Sequence, residues 1–117
     1  MGRLTTHILD TARGCPAARV QIDLFAVTES GQTEIASVTT NEDGRCDGPV
    51  LDGTDFAVGT YELQFHVGDY LRANGAELEA PAFLDIVPIR FGIASAEEHY
   101  HVPLLISPYG YSTYRGS

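Results

Sequence analysis

The stretch His99-Tyr100-His101-Val102-Pro103-Leu104-Leu105-Ile106-Ser107-Pro108-Tyr109-Gly110-Tyr111-Ser112-Thr113-Tyr114-Arg115-Gly116-Ser117 decides how the chain folds. Its first half alternates. Successive side chains of a strand point to opposite faces, so His99 and His101 share one face and Val102, Leu104 and Ile106 share the other. Pro108 and Gly110 turn the chain, and residues 111–115 read as a returning strand. Terminal segments are ordinarily polar and frayed. This one is aromatic and carries a guanidinium, as a segment built into the structure would.

The same period of two recurs upstream. Residues 4–10, rich in Thr, Ile and Leu, read as a first strand. Residues 20–27 alternate apolar and polar side chains, the mark of a half-buried strand. Residues 34–40 follow a hairpin-type loop at 29–32. Asp43-Gly44 closes a turn that needs positive φ, and a short edge strand is expected near Val50-Leu51. Residues 59–67 put Tyr61, Leu63, Phe65 and Val67 on one face. Residues 83–93 form a further strand, which Pro88 confines to a sheet edge or a bulge. One helix is expected, over residues 69–75, with Asp69 as N-cap and Asn74-Gly75 as C-cap. Short strands separated by turn signals predict an antiparallel β-sandwich. Residues 1–117 are expected to form a single domain, without internal repeat or linker.

Composition narrows the function. The hydrophobic share of 44% suits a globular domain, and the net charge of -9 argues against nucleic acid and anionic membranes as partners. No apolar run approaches the length of a membrane span, and no secretory h-region opens the sequence. A cytoplasmic protein is expected, with Cys15 and Cys46 as free thiols; neither has a C-x-x-C partner.

The polar side chains that stand out are His7, Arg45, His99, His101, Tyr114, Arg115 and Ser117. Thr5, His7 and Leu9 share one face of the first strand. An H-x-H pair on a strand suits metal coordination, because both imidazoles project together, and His7 or His66 could supply a third ligand. No further Asp or Glu spacing supports a zinc site. The alternative is metal-free. An imidazole with a pKa near 6.5 takes a proton from water at neutral pH, and a nearby guanidinium holds an anion or a developing oxyanion. Ser107, Ser112 and Ser117 lie near the histidines in sequence, but none sits in a G-x-S-x-G elbow. Arg115 could also pair with the Ser117 carboxylate, an exposed contact of little energetic value.

Three motifs add a resemblance. Leu4-Thr5-Thr6-His7-Ile8-Leu9-Asp10-Thr11-Ala12-Arg13-Gly14, Thr40-Asn41-Glu42-Asp43-Gly44-Arg45-Cys46 and the stretch quoted at the outset resemble the signature blocks of the 5-hydroxyisourate hydrolases, the transthyretin-related enzymes of urate breakdown. The ending Tyr114-Arg115-Gly116-Ser117 is the most specific of these signals. It separates such enzymes from transthyretins proper, which carry the same fold but bind thyroid hormone. The resemblance implies a prealbumin-like sandwich of two four-stranded sheets with one short helix. It implies a homotetramer, a dimer of dimers, with active sites in a channel at the dimer–dimer interface. It implies hydrolysis of 5-hydroxyisourate without metal or cofactor. His7, Arg45 and His101 match the catalytic positions, and Tyr114 matches a substrate-binding one, with Arg115 and Ser117 beside it. His99 matches no functional position. Two rival functions remain at this point: a binding or transport protein, and a structural interaction module. The fold alone does not decide among them.

Overall fold

The computed structural model describes residues 1–116. In chain order its strands are β1 (Arg3–Asp10), β2 (Cys15–Pro16), β3 (Gln21–Thr28), β4 (Gly31–Thr39), β5 (Leu51–Asp52), β6 (Gly59–His66), β7 (Ile86–Ile93), β8 (His99–Ser107) and β9 (Gly110–Thr113). One helix, α1 (Val67–Ala73), joins β6 to the segment before β7. The strands make two sheets. One runs β4-β3-β6-β7; the other runs β2-β1-β8-β9, with the two-residue β5 also paired to β1.

The expected sandwich is present, with one departure from an antiparallel layout. β1 and β8 run parallel, in the register Arg3↔His99, Thr5↔His101, His7↔Pro103. The β4-β3-β6-β7 sheet has four strands, whereas the β2-β1-β8-β9 sheet gains β5 as a fifth. β7 is an edge strand, so the missing N–H of Pro88 breaks no inner ladder.

Alternation decides which face is buried. On β1, Leu4, Thr6, Ile8 and Asp10 are buried, and Thr5, His7 and Leu9 are only half-buried on the other face. On β8, Tyr100, Val102, Leu104 and Ile106 point into the core. Opposite them stand Ile22 and Leu24 of β3 and Leu63 and Phe65 of β6, all without solvent contact. Each such side chain contributes about 1.5–3 kcal/mol on burial. Thr6 Oγ1 donates to the Val102 carbonyl at 2.7 Å, satisfying the one hydroxyl this inner face carries in β1.

The helix begins two residues before the position expected from Asp69. His66 is the N-cap residue and makes no side-chain cap bond; Asp69 lies inside the first turn. Burial set this boundary. Val67, Tyr70 and Leu71, at i, i+3 and i+4, seat one face of α1 on the core. The expected C-terminus holds: Gly75 has φ 87°, and the N–H groups of Gly75 and Ala76 donate to the Arg72 and Leu71 carbonyls, a Schellman closure. Beside the helix, buried Asp10 accepts from the Tyr70 hydroxyl at 2.9 Å and from the backbone of Ala12 and Arg13. Among the described residues, no helix is long and apolar enough to cross a membrane.

Candidate active site

Three pieces of chain meet on the outer face of the β2-β1-β8-β9 sheet. The parallel register lays Thr5 beside His101 and Arg3 beside His99. On the other edge of β1, His7 forms an isolated bridge with Arg45. A tight turn presents that arginine. Asn41 Oδ1 accepts from the N–H of Asp43 and of Arg45, and the Asn41 N–H donates to the Arg45 carbonyl at 2.7 Å. Gly44 sits between them with φ 73°, and its carbonyl accepts from Ile8 N at 2.8 Å. A Cβ on Gly44 would lie 2.4 Å from the Ile8 carbonyl oxygen, so only glycine lets the turn dock on β1.

These elements frame a concavity of about 400 Å³ lined by Arg3, Thr5, Arg45, Cys46, His99 and His101, among others. It is open to solvent on a sheet face. His7 stands next to it: its charge, like that of Arg45, bears on His101. Thr5 ties the cluster together. Its Oγ1 is 2.7 Å from His99 Nε2 and 2.7 Å from His101 Nδ1.

The electrostatics favour neutral imidazoles. Burial pushes the pKa of His101 below 6.5, and Arg45, His99 and His7 lower it further. His7 is lowered by burial and then by Arg45, against a smaller opposing pull from the Asp43 carbonyl and carboxylate. His99 is lowered by burial and by Arg3. Near neutrality these rings carry lone pairs, the state a proton acceptor requires.

His66, the other candidate third ligand for an H-x-H metal site, lies in the opposite sheet. Its Nε2 is 2.8 Å from Asp23 Oδ2. Among the described residues, no three His, Cys, Asp or Glu side chains are placed to hold a metal ion.

The end of the chain behaves differently from a plain returning strand. β9 stops at Thr113, and among the described residues after it only Gly116 rejoins the sheet, donating its N–H to the His101 carbonyl at 2.8 Å. Between them, Arg115 lays its guanidinium 4.1 Å from the Tyr100 ring centroid and reaches Glu98 at 3.3 Å. Tyr114 and Arg115 border a second concavity, of about 410 Å³, with Ile89, Phe91, Tyr100 and Val102. Within one chain they are therefore not gathered with His7 and His101. Gly116 links the two regions, because its backbone packs against the His101 ring. Ser117 lies outside the described residues.

Thr5 and Arg3 were not singled out by the sequence. The signal for Thr5 was its shared face with His7; what was missing was the parallel partner that turns that face into a site.

Residues 4–116 match the family model described as "HIUase/Transthyretin family". The chain belongs to that family. Within the HIUase/transthyretin family it is 62% identical, over 99% of its length and 97% of the relative's, to "5-hydroxyisourate hydrolase 2" of Rhizobium meliloti. Its fold matches the solved Klebsiella pneumoniae 5-hydroxyisourate hydrolase with a TM-score of 0.82 at 35% identity, covering 100% of both chains. Sea bream transthyretin in complex with thyroxine matches with a TM-score of 0.86 at 28% identity, over 97% of this chain and 94% of that one. The two branches of the family thus share this backbone, but identity places the chain on the hydrolase branch.

Proposed function

We propose that this chain hydrolyses 5-hydroxyisourate, opening the six-membered ring to 2-oxo-4-hydroxy-4-carboxy-5-ureidoimidazoline in urate breakdown. The observation that carries this reading is the convergence of His7, Arg45 and His101 on one sheet face, with both imidazoles held below 6.5. The identity to a hydrolase along nearly the whole chain supports the same substrate.

The substrate is a flat, polar purine derivative with an activated lactam. His101 Nδ1 is engaged by Thr5, which leaves Nε2 to take a proton from water. The water oxygen bonds to the lactam carbonyl carbon, and the carbonyl oxygen becomes an oxyanion. Arg45 stabilises that charge, and His7 beside it orients the ring. The C–N bond then breaks, and the proton held on His101 passes to the departing nitrogen. A positioned base contributes about 10²–10⁴-fold, and an oxyanion partner about 10²–10³-fold. No step calls on a metal or cofactor.

In this reading the protein works as a homotetramer, a dimer of dimers. The outer face bearing His7 and His101 lines a channel between dimers, and Tyr114, Arg115 and Ser117 reach substrate across subunits. A two-sided channel would enclose a concavity that one chain leaves open. Binding without turnover is the weaker alternative: the lining carries two imidazoles, His99 and His101, and two guanidiniums, Arg3 and Arg45, groups that move protons and hold charge.

The test is a spectroscopic assay of freshly generated 5-hydroxyisourate with its spontaneous decay subtracted. His101→Ala and Arg45→Ala are expected to lose most activity, at least about 10²-fold, while keeping fold and assembly. Wild-type turnover in folded His101→Ala would overturn the assignment.

A further inference from the structure

The histidine with no assigned role, His99, is connected to the proposed base. Thr5 Oγ1 stands 2.7 Å from His99 Nε2 and 2.7 Å from His101 Nδ1. A hydroxyl has one proton to donate. With that proton directed at one ring, the hydroxyl donates to that ring and accepts from the other, which locks the tautomers of the two histidines to each other; with the proton turned away, both rings donate to its two lone pairs. Two arrangements of neutral rings place the Thr5 proton between them. In one, His101 carries its proton on Nδ1 and donates to Thr5, Thr5 donates to His99 Nε2, and His99 carries its proton on Nδ1. In the other every direction is reversed, and His101 Nε2 carries a proton and is no base.

We propose that Thr5 and His99 are positioning residues that hold His101 in the first arrangement and relay its Nδ1 proton during turnover. The inference rests on the hydrolase reading above, with His101 as base. When Nε2 takes a proton from water, the Nδ1 proton moves to Thr5 Oγ1 and the Thr5 proton moves to His99 Nε2. His101 is then neutral with a proton on Nε2, ready to be given to the departing nitrogen. The positive charge rests on His99 until the shift reverses.

The surroundings favour this direction. His101 feels Arg45, His7 and His99 and is the more enclosed ring; His99 feels Arg3 and is the more open one. A cation on His99 is farther from the Arg45–His7 pair and better hydrated. The register makes the connection possible. Thr5 is the Cα partner of His101 in the parallel β1–β8 ladder, and His99 is two residues along β8 on the same face. The two rings lie 6.1 Å apart between centroids, a gap a single hydroxyl spans.

Two measurements test the relay. The first is imidazole nitrogen NMR on the unaltered protein above pH 7. The expected result is a protonated Nδ1 and a bare Nε2 on both His99 and His101; a protonated Nε2 on either resting ring overturns the proposal. The second is steady-state kinetics of Thr5→Val, which keeps the shape and removes the hydroxyl, and of Thr5→Ser, which restores it. Thr5→Val is expected to lose about 10- to 100-fold in kcat with little change in KM, the worth of one charge-assisted hydrogen bond. It should also shift the acid limb of the pH profile, and Thr5→Ser should return to within about threefold of wild type. A folded Thr5→Val with wild-type kcat and pH profile, beside an inactive His101→Ala, refutes the relay and leaves the hydrolase reading standing. An active His101→Ala defeats the reading itself.

Discussion

Gly116→Ala is the sharpest single probe of how the chain end supports the site. A Cβ at this position would lie 2.6 Å from His101 Cδ2 and 3.3 Å from its Cγ. Ordinary van der Waals contact starts near 3.4 Å, so something must yield by close to 1 Å. Two responses are open. The tail can lift, losing the bond from Gly116 N–H to the His101 carbonyl, which costs about 1 kcal/mol. Or the ring can turn about its side-chain torsions, straining its bond to Thr5. The tail is anchored by Arg115 on Tyr100 and Glu98, so the ring yields first. A displacement of about 1 Å at a reacting group costs about 10²-fold in rate. The expected variant is folded, melts within about 4 °C of wild type, and loses close to 10²-fold in kcat/KM for 5-hydroxyisourate. The assay is the decay of fresh substrate alongside a thermal melt. A variant with wild-type kcat/KM would show that the tail does not set the His101 ring, and the coupling argued here would fail.

Further outcomes follow from the same geometry. Because burial and Arg45 lower His7 and His101, the acid limb of kcat/KM is expected to have its midpoint below pH 6.5; a midpoint above 6.5 contradicts the neutral-base assignment. The same two groups affect stability with a definite sign. Their contribution is fully present above pH 6.5 and is lost as pH falls through their folded values, because the unfolded chain then binds more protons; urea midpoints measured from pH 7.5 to 5 check this. Gly44→Ala forces a positive φ on alanine against the Ile8 carbonyl and is expected to cost roughly 2–3 kcal/mol and to raise KM by moving Arg45, read from denaturant titration and kinetics. Phe65→Ala, in a side chain with no solvent contact, is expected to cost about 3–5 kcal/mol, measured by the same titration. Turnover is expected to be unchanged by EDTA; a loss restored by zinc would move the site to the H-x-H metal reading.

Period-two patterning carried most of the fold. It assigned the inner and outer faces of β1 and β8 correctly, since a strand with one buried face leaves little freedom. Glycine and asparagine chemistry marked the turn that presents Arg45 and the closure of α1, because those conformations exclude most other residues. The helix start was misplaced because a polar cap signal at Asp69 competed with the apolar seat of Val67, and burial won. The parallel pairing of β1 with β8 has no local signature. Periodicity tells which face a residue takes but not which strand lies alongside. For that reason the face that Thr5 shares with His7 gives no sign in the sequence that His101 lies alongside it. The last strand was expected to run through Arg115, but a cation–π contact and an ion pair pull that side chain out of the ladder.

The β1–β8 ladder has a kinetic consequence. Thr5 and His101 stand 96 residues apart in sequence, so joining them closes almost the longest loop the fold contains. The entropic cost of such a closure is about 4 kcal/mol, against about 2 kcal/mol for a ten-residue loop. The β3–β4, β3–β6 and β6–β7 pairings are nearer in sequence and can form earlier. The histidines, the threonine and the tail glycine would then come together only at the final closure. A chain with one finished sheet and an open second one has no rudimentary site, and during refolding activity should return with the slowest phase rather than with the bulk of the β-structure.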